Sequence, residues 1–121
     1  MRGLAFLAIW FLSCGLTGKA SYYTEASCRR EGTSGVWTAS GHRYDEQGLT
    51  CALRRRDFGK RYRVCLQTNP TRCVVVTHTD YGPGRGPTAK GVVIDLTPAA
   101  FERLAPLAHG LVAVTVTPED T

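Results

Sequence analysis

The side chains able to do chemistry in this sequence are few, and the most suggestive are acidic. Asp80 stands in Asp80-Tyr81-Gly82-Pro83 and Asp95 in Val93-Ile94-Asp95-Leu96, with His78 two residues before Asp80 and His42 further upstream. Carboxyl groups and imidazoles of this kind move protons, donating in one form and accepting in the other. Asp80 also precedes a turn, where an Asp commonly binds nearby backbone amides, and Asp95 is equally placed to tie down a helix start at Thr97. A spacing of two puts His78 and Asp80 on one face of a continuous strand. A metal reading has little support: the cysteines lack a C-x-x-C pair, and His42, His78 and Asp80 offer no recognisable ligand spacing. The Gly82 to Pro87 loop lacks the Gly-Lys-Ser/Thr ending of a phosphate cradle. No metal and no cofactor are expected.

Cysteine is the second informative type. Past the first twenty residues stand Cys28, Cys51, Cys65 and Cys73. An even number in a small exported domain reads as two disulfides. Cys65 and Cys73 are equidistant from Asn69 in a turn-rich segment, so a hairpin there brings them opposite each other. Cys28 is then left for Cys51.

The elements that must position these groups are mostly strands. The 121 residues carry a formal net charge of +5, with 43% hydrophobic and 21% charged, which suits one small folded domain rather than a disordered chain. Residues 1–20 read as a signal peptide: Arg2, an apolar centre from Leu4 to Leu12, and a small-residue exit with cleavage after Ala20. That apolar run is too short to span a bilayer. Leu12-Ser13-Cys14 loosely resembles a lipoprotein cleavage box, with Cys14 as the lipid-bearing residue; release into the periplasm or medium is the preferred expectation. Residues 21–121 then form the folded unit, expected as a monomer.

Short runs rich in Val, Tyr and Thr predict strands at 21–24, 62–66, 73–79, 92–96 and 111–117. One helix is expected, with Thr97 as N-cap, Pro98 in the first position and Pro106 as its stop. Phe101, Leu104 and Ala105 share its buried face. Many short strands with one short helix predict an all-β fold closed into a small barrel. The basic residues Arg54, Arg55, Arg56, Lys60, Arg61 and Arg63 cluster and would attract an anionic polymer. Nucleic acid is disfavoured, because no recognition motif is present. His109 falls in a loop after the helix.

Several segments occur in a telling order: Ala20-Ser21-Tyr22-Tyr23, Thr38-Ala39-Ser40-Gly41 with Tyr44-Asp45, Leu49-Thr50-Cys51-Ala52, and Phe58-Gly59-Lys60-Arg61-Tyr62-Arg63-Val64. They are followed by Val74-Val75-Val76, Asp80-Tyr81-Gly82-Pro83 and Val93-Ile94-Asp95-Leu96-Thr97-Pro98. From Ala20 to Val116 this series resembles the RlpA-like (rare lipoprotein A) proteins, distantly similar to expansins and barwin. The resemblance implies a six-stranded double-psi β-barrel with a polysaccharide-binding groove. It also implies lytic transglycosylase activity on peptidoglycan, cutting between N-acetylmuramic acid and N-acetylglucosamine to leave a 1,6-anhydro end.

Asp80 matches the family's catalytic aspartate. The family's Glu and His positions hold His42 and Leu53 here, which is a departure. Hydrolysis ordinarily needs two carboxyl groups, whereas lytic cleavage can use one as acid and then base. The resemblance therefore assigns catalysis to Asp80 with His42 beside it, and Glu25 and Glu46 are candidates for a second carboxylate. Substrate contacts are expected from Tyr44, Tyr81, Asp95, His78 and Arg85, the last toward a muramyl-peptide carboxylate, while Trp37 is expected in the core. The expected partner is peptidoglycan or a related acidic wall polysaccharide. The alternatives are a non-catalytic expansin-like wall-binding or wall-loosening module and, more weakly, a barwin-like defence or inhibitor protein.

Overall fold

A computed structural model describes residues 15–26 and 37–119. Six strands form the body: β1 (Leu16–Tyr22), β2 (Thr50–Leu53), β3 (Arg61–Leu66), β4 (Cys73–Tyr81), β5 (Val92–Leu96) and β6 (Val112–Pro118). They close into a barrel in the order β1-β5-β2-β4-β3-β6. The β1–β5 and β2–β4 pairs are parallel and the others antiparallel. Closure leaves no long strand edge unpaired, which matters for a small all-β domain. The expected all-β, six-stranded barrel is therefore observed.

Alternation drives the packing. In β4, Val74, Val76 and His78 are buried while the residues between them are half-buried; β5 buries Val92, Ile94 and Leu96 in the same way. With Val64, Val114, Val116 and Leu53 these side chains fill the barrel. Gly18 permits the closest approach: a Cβ there would lie 2.5 Å from Val93 Cγ1 and 2.9 Å from the Gly91 carbonyl oxygen. Only glycine lets β1 settle against this stretch.

Two expectations need adjustment. First, α1 (Arg85–Ala89) forms within the segment expected as loop, and a 3₁₀ turn forms at Leu107–His109. Second, α2 (Pro98–Glu102) starts as expected, with Thr97 Oγ1 accepting from the Ala100 amide, but ends before Pro106. Phe101 of α2 is buried, as are Leu104 and Ala105 just past its end, and Phe101 meets Tyr22 edge-on at 5.0 Å between ring centres. Strand β1 begins at Leu16, its residues Leu16 to Ala20 pair with Val112 to Val116 of β6, and Ala20 is fully buried.

Cys65 and Cys73 face each other across β3 and β4 and form the expected disulfide. The expected Cys28–Cys51 bond involves a residue outside the described ones. Cys51 is a free thiol buried in the barrel, its pKa raised by burial and by the nearby Asp57 and Asp95 charges; Cys28 lies outside the described residues. Among the described residues no helix is long and apolar enough to cross a membrane.

Candidate functional site

The site is organised by one irregularity in the β2–β4 ladder. Cys51 pairs with His78, but the next residue, Ala52, pairs with Asp80, so Thr79 is skipped. An extra residue in one strand reverses which face the following side chain occupies. His78 consequently points into the barrel and is fully buried, while Asp80 is half-buried. The expected sharing of a face by His78 and Asp80 is thereby corrected.

Ala52 also pairs with Asp95 of β5. Directly paired residues project to the same side, so Asp80, Ala52 and Asp95 form a row across three strands, with the two acids roughly 10 Å apart at the backbone. The small Ala52 side chain leaves room between them. Gly82 borders this space: a Cβ built there would lie 3.6 Å from both Ala52 Cβ and Asp95 Oδ2. Ser21 of β1 donates its hydroxyl to Asp95 Oδ1.

Asp80 is held through one oxygen. Its Oδ1 accepts the backbone amides of Ala39 and Tyr81, both at 2.9 Å. The Ala39 amide comes from a tight turn in which Thr38 donates to the His42 carbonyl at 2.8 Å and Gly41 to the Thr38 carbonyl at 2.9 Å. Gly41 adopts φ +87°, a conformation glycine takes without strain. The turn docks on β4 through the Ser40 amide and the Thr79 carbonyl. It presents His42 as an exposed side chain whose Nδ1 lies 3.0 Å from Ser40 Oγ. His42 therefore reaches the Asp80 neighbourhood through this turn, with Ser40 as its recorded partner.

Inside the barrel His78 is committed elsewhere. Its Nδ1 lies 2.6 Å from Asp57 Oδ1, and its Nε2 lies 3.0 Å from the Asp80 carbonyl oxygen and 3.3 Å from that of Leu53. Both ring nitrogens thus face oxygens of the inner network. Asp57 Oδ2 further accepts from Arg55 Nε at 3.0 Å and from the Tyr62 hydroxyl. Burial alone would raise the Asp57 pKa, but the hydrogen bonds from Tyr62, Arg55 and His78 outweigh it and hold the pKa at about 2. The Tyr62 phenol is pushed up to about 12 by burial and by Asp57. Asp57 and Tyr62 were missed in the sequence, where the only signal was a lone acid ending the Arg54-Arg55-Arg56 run.

The aromatic assignments are partly reversed. Tyr81 is 42% exposed beside Asp80, as expected of a sugar platform, but Tyr44 is only 5% exposed. Tyr44 stacks on Tyr23 at 4.6 Å and donates its hydroxyl to the Tyr23 carbonyl. Trp37, expected in the core, is 54% exposed in the turn that holds Asp80. Arg85 is exposed on α1. Arg54 and Arg56, rather than Arg85, lie over Tyr81, at 5.5 and 4.5 Å from the ring centre. The Glu46 carboxylate receives the Glu25 backbone amide at 2.8 Å. Leu53, at the family's His position, is fully buried.

Two shallow depressions, of about 480 and 350 Å³, lie around Cys65–Pro70 and around Leu104–His109, and neither is lined by Asp80. In the acidic row itself Asp80 and Asp95 are half-buried and Ala52 is buried.

Comparison with known proteins places this geometry. The chain is 37% identical over 99 residues, 82% of its length, to a Nostoc protein described as "Probable endolytic peptidoglycan transglycosylase RlpA". It spans about a quarter, 24%, of that relative. In three dimensions it is similar to Streptomyces papain inhibitor, with a TM-score of 0.63 at 24% identity, covering 87% of this chain and 94% of the inhibitor; at that identity the likeness shows the fold alone. Residues 16–116 match the family model described as lytic transglycolase, so the barrel from β1 to β6 belongs to that family.

Proposed function

We propose that this protein cleaves peptidoglycan as a lytic transglycosylase, with Asp80 as the proton-transfer group. The observation that carries this reading is the row of Asp80, Ala52 and Asp95 across β4, β2 and β5. It sets two carboxyl groups on one face over a small residue. Support also comes from the family match and from the relative named as a peptidoglycan transglycosylase.

In the proposed reaction, protonated Asp80 donates to the glycosidic oxygen through Oδ2, the oxygen without a backbone partner. The bond between the muramyl anomeric carbon and that oxygen breaks. The muramyl 6-hydroxyl then bonds to the anomeric carbon and returns its proton to the Asp80 carboxylate, giving the 1,6-anhydro end without water. Asp95 on the same face would, as a carboxylate, offset positive charge developing on the sugar ring. Ser21 and the Gly82 neighbourhood hold Asp95 in place. Such a substrate would put the protein at the cell envelope.

A second reading has its own observation. His42 and the buried Leu53 occupy positions where the family has Glu and His. A face lacking those groups would suit a wall-binding module in which Asp80 and Asp95 only hold glycan. Incubation of the purified protein with intact and peptide-stripped sacculi, read by mass spectrometry, separates the two. Anhydro-muramyl products that vanish in Asp80→Asn are expected. Sedimentation with sacculi without any product would overturn catalysis and leave the binding module.

A further inference from the structure

His78 takes no part in the proposed proton transfer, yet its fully buried ring stands directly behind Asp80. Phe58 packs against the ring at 4.9 Å between centres, and Tyr62 meets it edge-on at 6.3 Å. Asp57 Oδ1 holds Nδ1 at 2.6 Å, and Asp57 is itself held by Arg55 and Tyr62. The plane and direction of the imidazole are therefore fixed. Its Nε2 lies 3.0 Å from the Asp80 carbonyl oxygen and 3.3 Å from that of Leu53. A carbonyl oxygen only accepts, so these bonds put a proton on Nε2. The Asp80 carbonyl and the Tyr81 amide belong to one planar trans peptide and point in opposite directions. His78 thus grips one end of the unit whose other end donates to Asp80 Oδ1 at 2.9 Å. Tilting that plane would carry the Tyr81 amide off the carboxylate and leave Oδ1 with the Ala39 amide.

We propose that His78, backed by Asp57, is a positioning residue for Asp80. It fixes the Asp80–Tyr81 peptide plane and, through the Tyr81 amide, the direction of the carboxyl group. The inference rests on the reading that Asp80 transfers the proton. A general acid must come within hydrogen-bond reach of the glycosidic oxygen, and a displacement of about 1 Å can cost about 100-fold in rate. Asp80 sits near the end of β4, where the ladder to β2 has just skipped Thr79, so regular pairing alone does not set its direction. The buried ring supplies that constraint from inside the barrel. Arg55 and Tyr62 act one step further back, because they fix Asp57 and Asp57 fixes the ring. Being fully buried, His78 has no route to the glycan. It acts through Asp80 and should govern the rate after binding rather than binding itself.

The test uses variants of the full chain, with rates taken per folded molecule well below the melting temperature of each. His78→Leu fills the site without a donor, His78→Gln retains an N–H group, and Asp57→Asn loosens the ring. On soluble glycan strands His78→Leu should lower kcat about tenfold with KM within about twofold. His78→Gln should regain part of that loss. Amide exchange read by NMR gives a signature independent of activity. In His78→Leu the Tyr81 and Ala39 amides should exchange about tenfold faster relative to the Ser40 amide, which bonds the carbonyl of the skipped Thr79. A purely structural role would shift these amides together and leave kcat unchanged. Unchanged kcat, or a uniform change in exchange, in a folded His78→Leu protein would overturn the positioning. Should His78→Leu not fold, Asp57→Asn decides in the same way, with shifts of about threefold. If the unmutated chain forms no product, the proposed activity falls, and the exchange ratio alone decides whether His78 positions Asp80.

Discussion

Asp57 and Asp80 stand on opposite sides of the Thr79 bulge and are tied down in opposite ways. Asp57 receives three side-chain donors, from Tyr62, Arg55 and His78, and both of its oxygens are engaged. Asp80 receives two backbone amides on one oxygen only. A carboxylate saturated by side chains is a structural anchor, because moving its proton would break several bonds at once. One held from behind by backbone amides keeps a fixed direction and an open oxygen. The two are joined through His78, whose ring links Asp57 to the Asp80 carbonyl. One skipped residue thus separates the inner network from the outer face that carries Asp80.

The largest expected effect tests the outer side. Asp80→Asn keeps an oxygen able to accept the Ala39 and Tyr81 amides, so the fold should be retained. Product formation should fall at least about 100-fold, the lower range for loss of a general acid–base group. An active Asp80→Asn protein would place the chemistry elsewhere. The inner side is next: His78→Ala removes a buried imidazole bonded to Asp57 and leaves buried polar groups without that partner, so it should cost about 2 kcal/mol of stability, measured by urea unfolding. Asp57→Asn should destabilise in the same direction. If either were neutral, the inner network would not be the anchor of β4.

Acid sharpens the same contrast. The folded pKa of Asp57, about 2, lies below its ordinary value of 3.8. Its contribution to stability is therefore complete above the ordinary value and is lost as pH falls through 2. The stability gap between the unmutated protein and Asp57→Asn should be full at pH 5 and narrow steadily between pH 4 and 2. A gap that stays constant over that range would mean that Asp57 does not carry this linkage.

Much of this architecture was legible in the sequence, and the gaps have physical causes. Short runs rich in Val, Tyr and Thr marked β3 to β6, and Thr97-Pro98 marked the helix start, because local sterics and capping fix those features. The Cys65–Cys73 bond followed from symmetry about a turn. Strand β2 is only four residues, Thr50–Leu53, too short for periodicity to reveal. The part of β1 before Ser21 has the composition of a leader's small-residue exit, and only pairing with β6 shows it to be barrel. Period-two counting from His78 to Asp80 failed because a bulge is set by the partner strand. Arg54 and Arg56 were visible as charge, but their convergence on Tyr81 depends on where β2 and β4 end.

The smallest expected effects concern the exchanged aromatics. Trp37 lies two residues from the Ala39 amide that holds Asp80 and is 54% exposed, whereas Tyr44 is 5% exposed and bonded to Tyr23. An exposed indole in that turn can stack on a pyranose ring; a buried phenol can only support the backbone. Trp37→Ala should weaken binding to stripped glycan strands roughly threefold to tenfold, as expected for loss of an aromatic stacking contact, with melting almost unchanged. Tyr44→Phe loses one hydroxyl bond and should cost about 1 kcal/mol of stability, with glycan affinity unchanged. If Tyr44→Phe weakened binding while Trp37→Ala did not, the glycan would run behind the turn rather than over it, and the open oxygen of Asp80 would face away from its substrate.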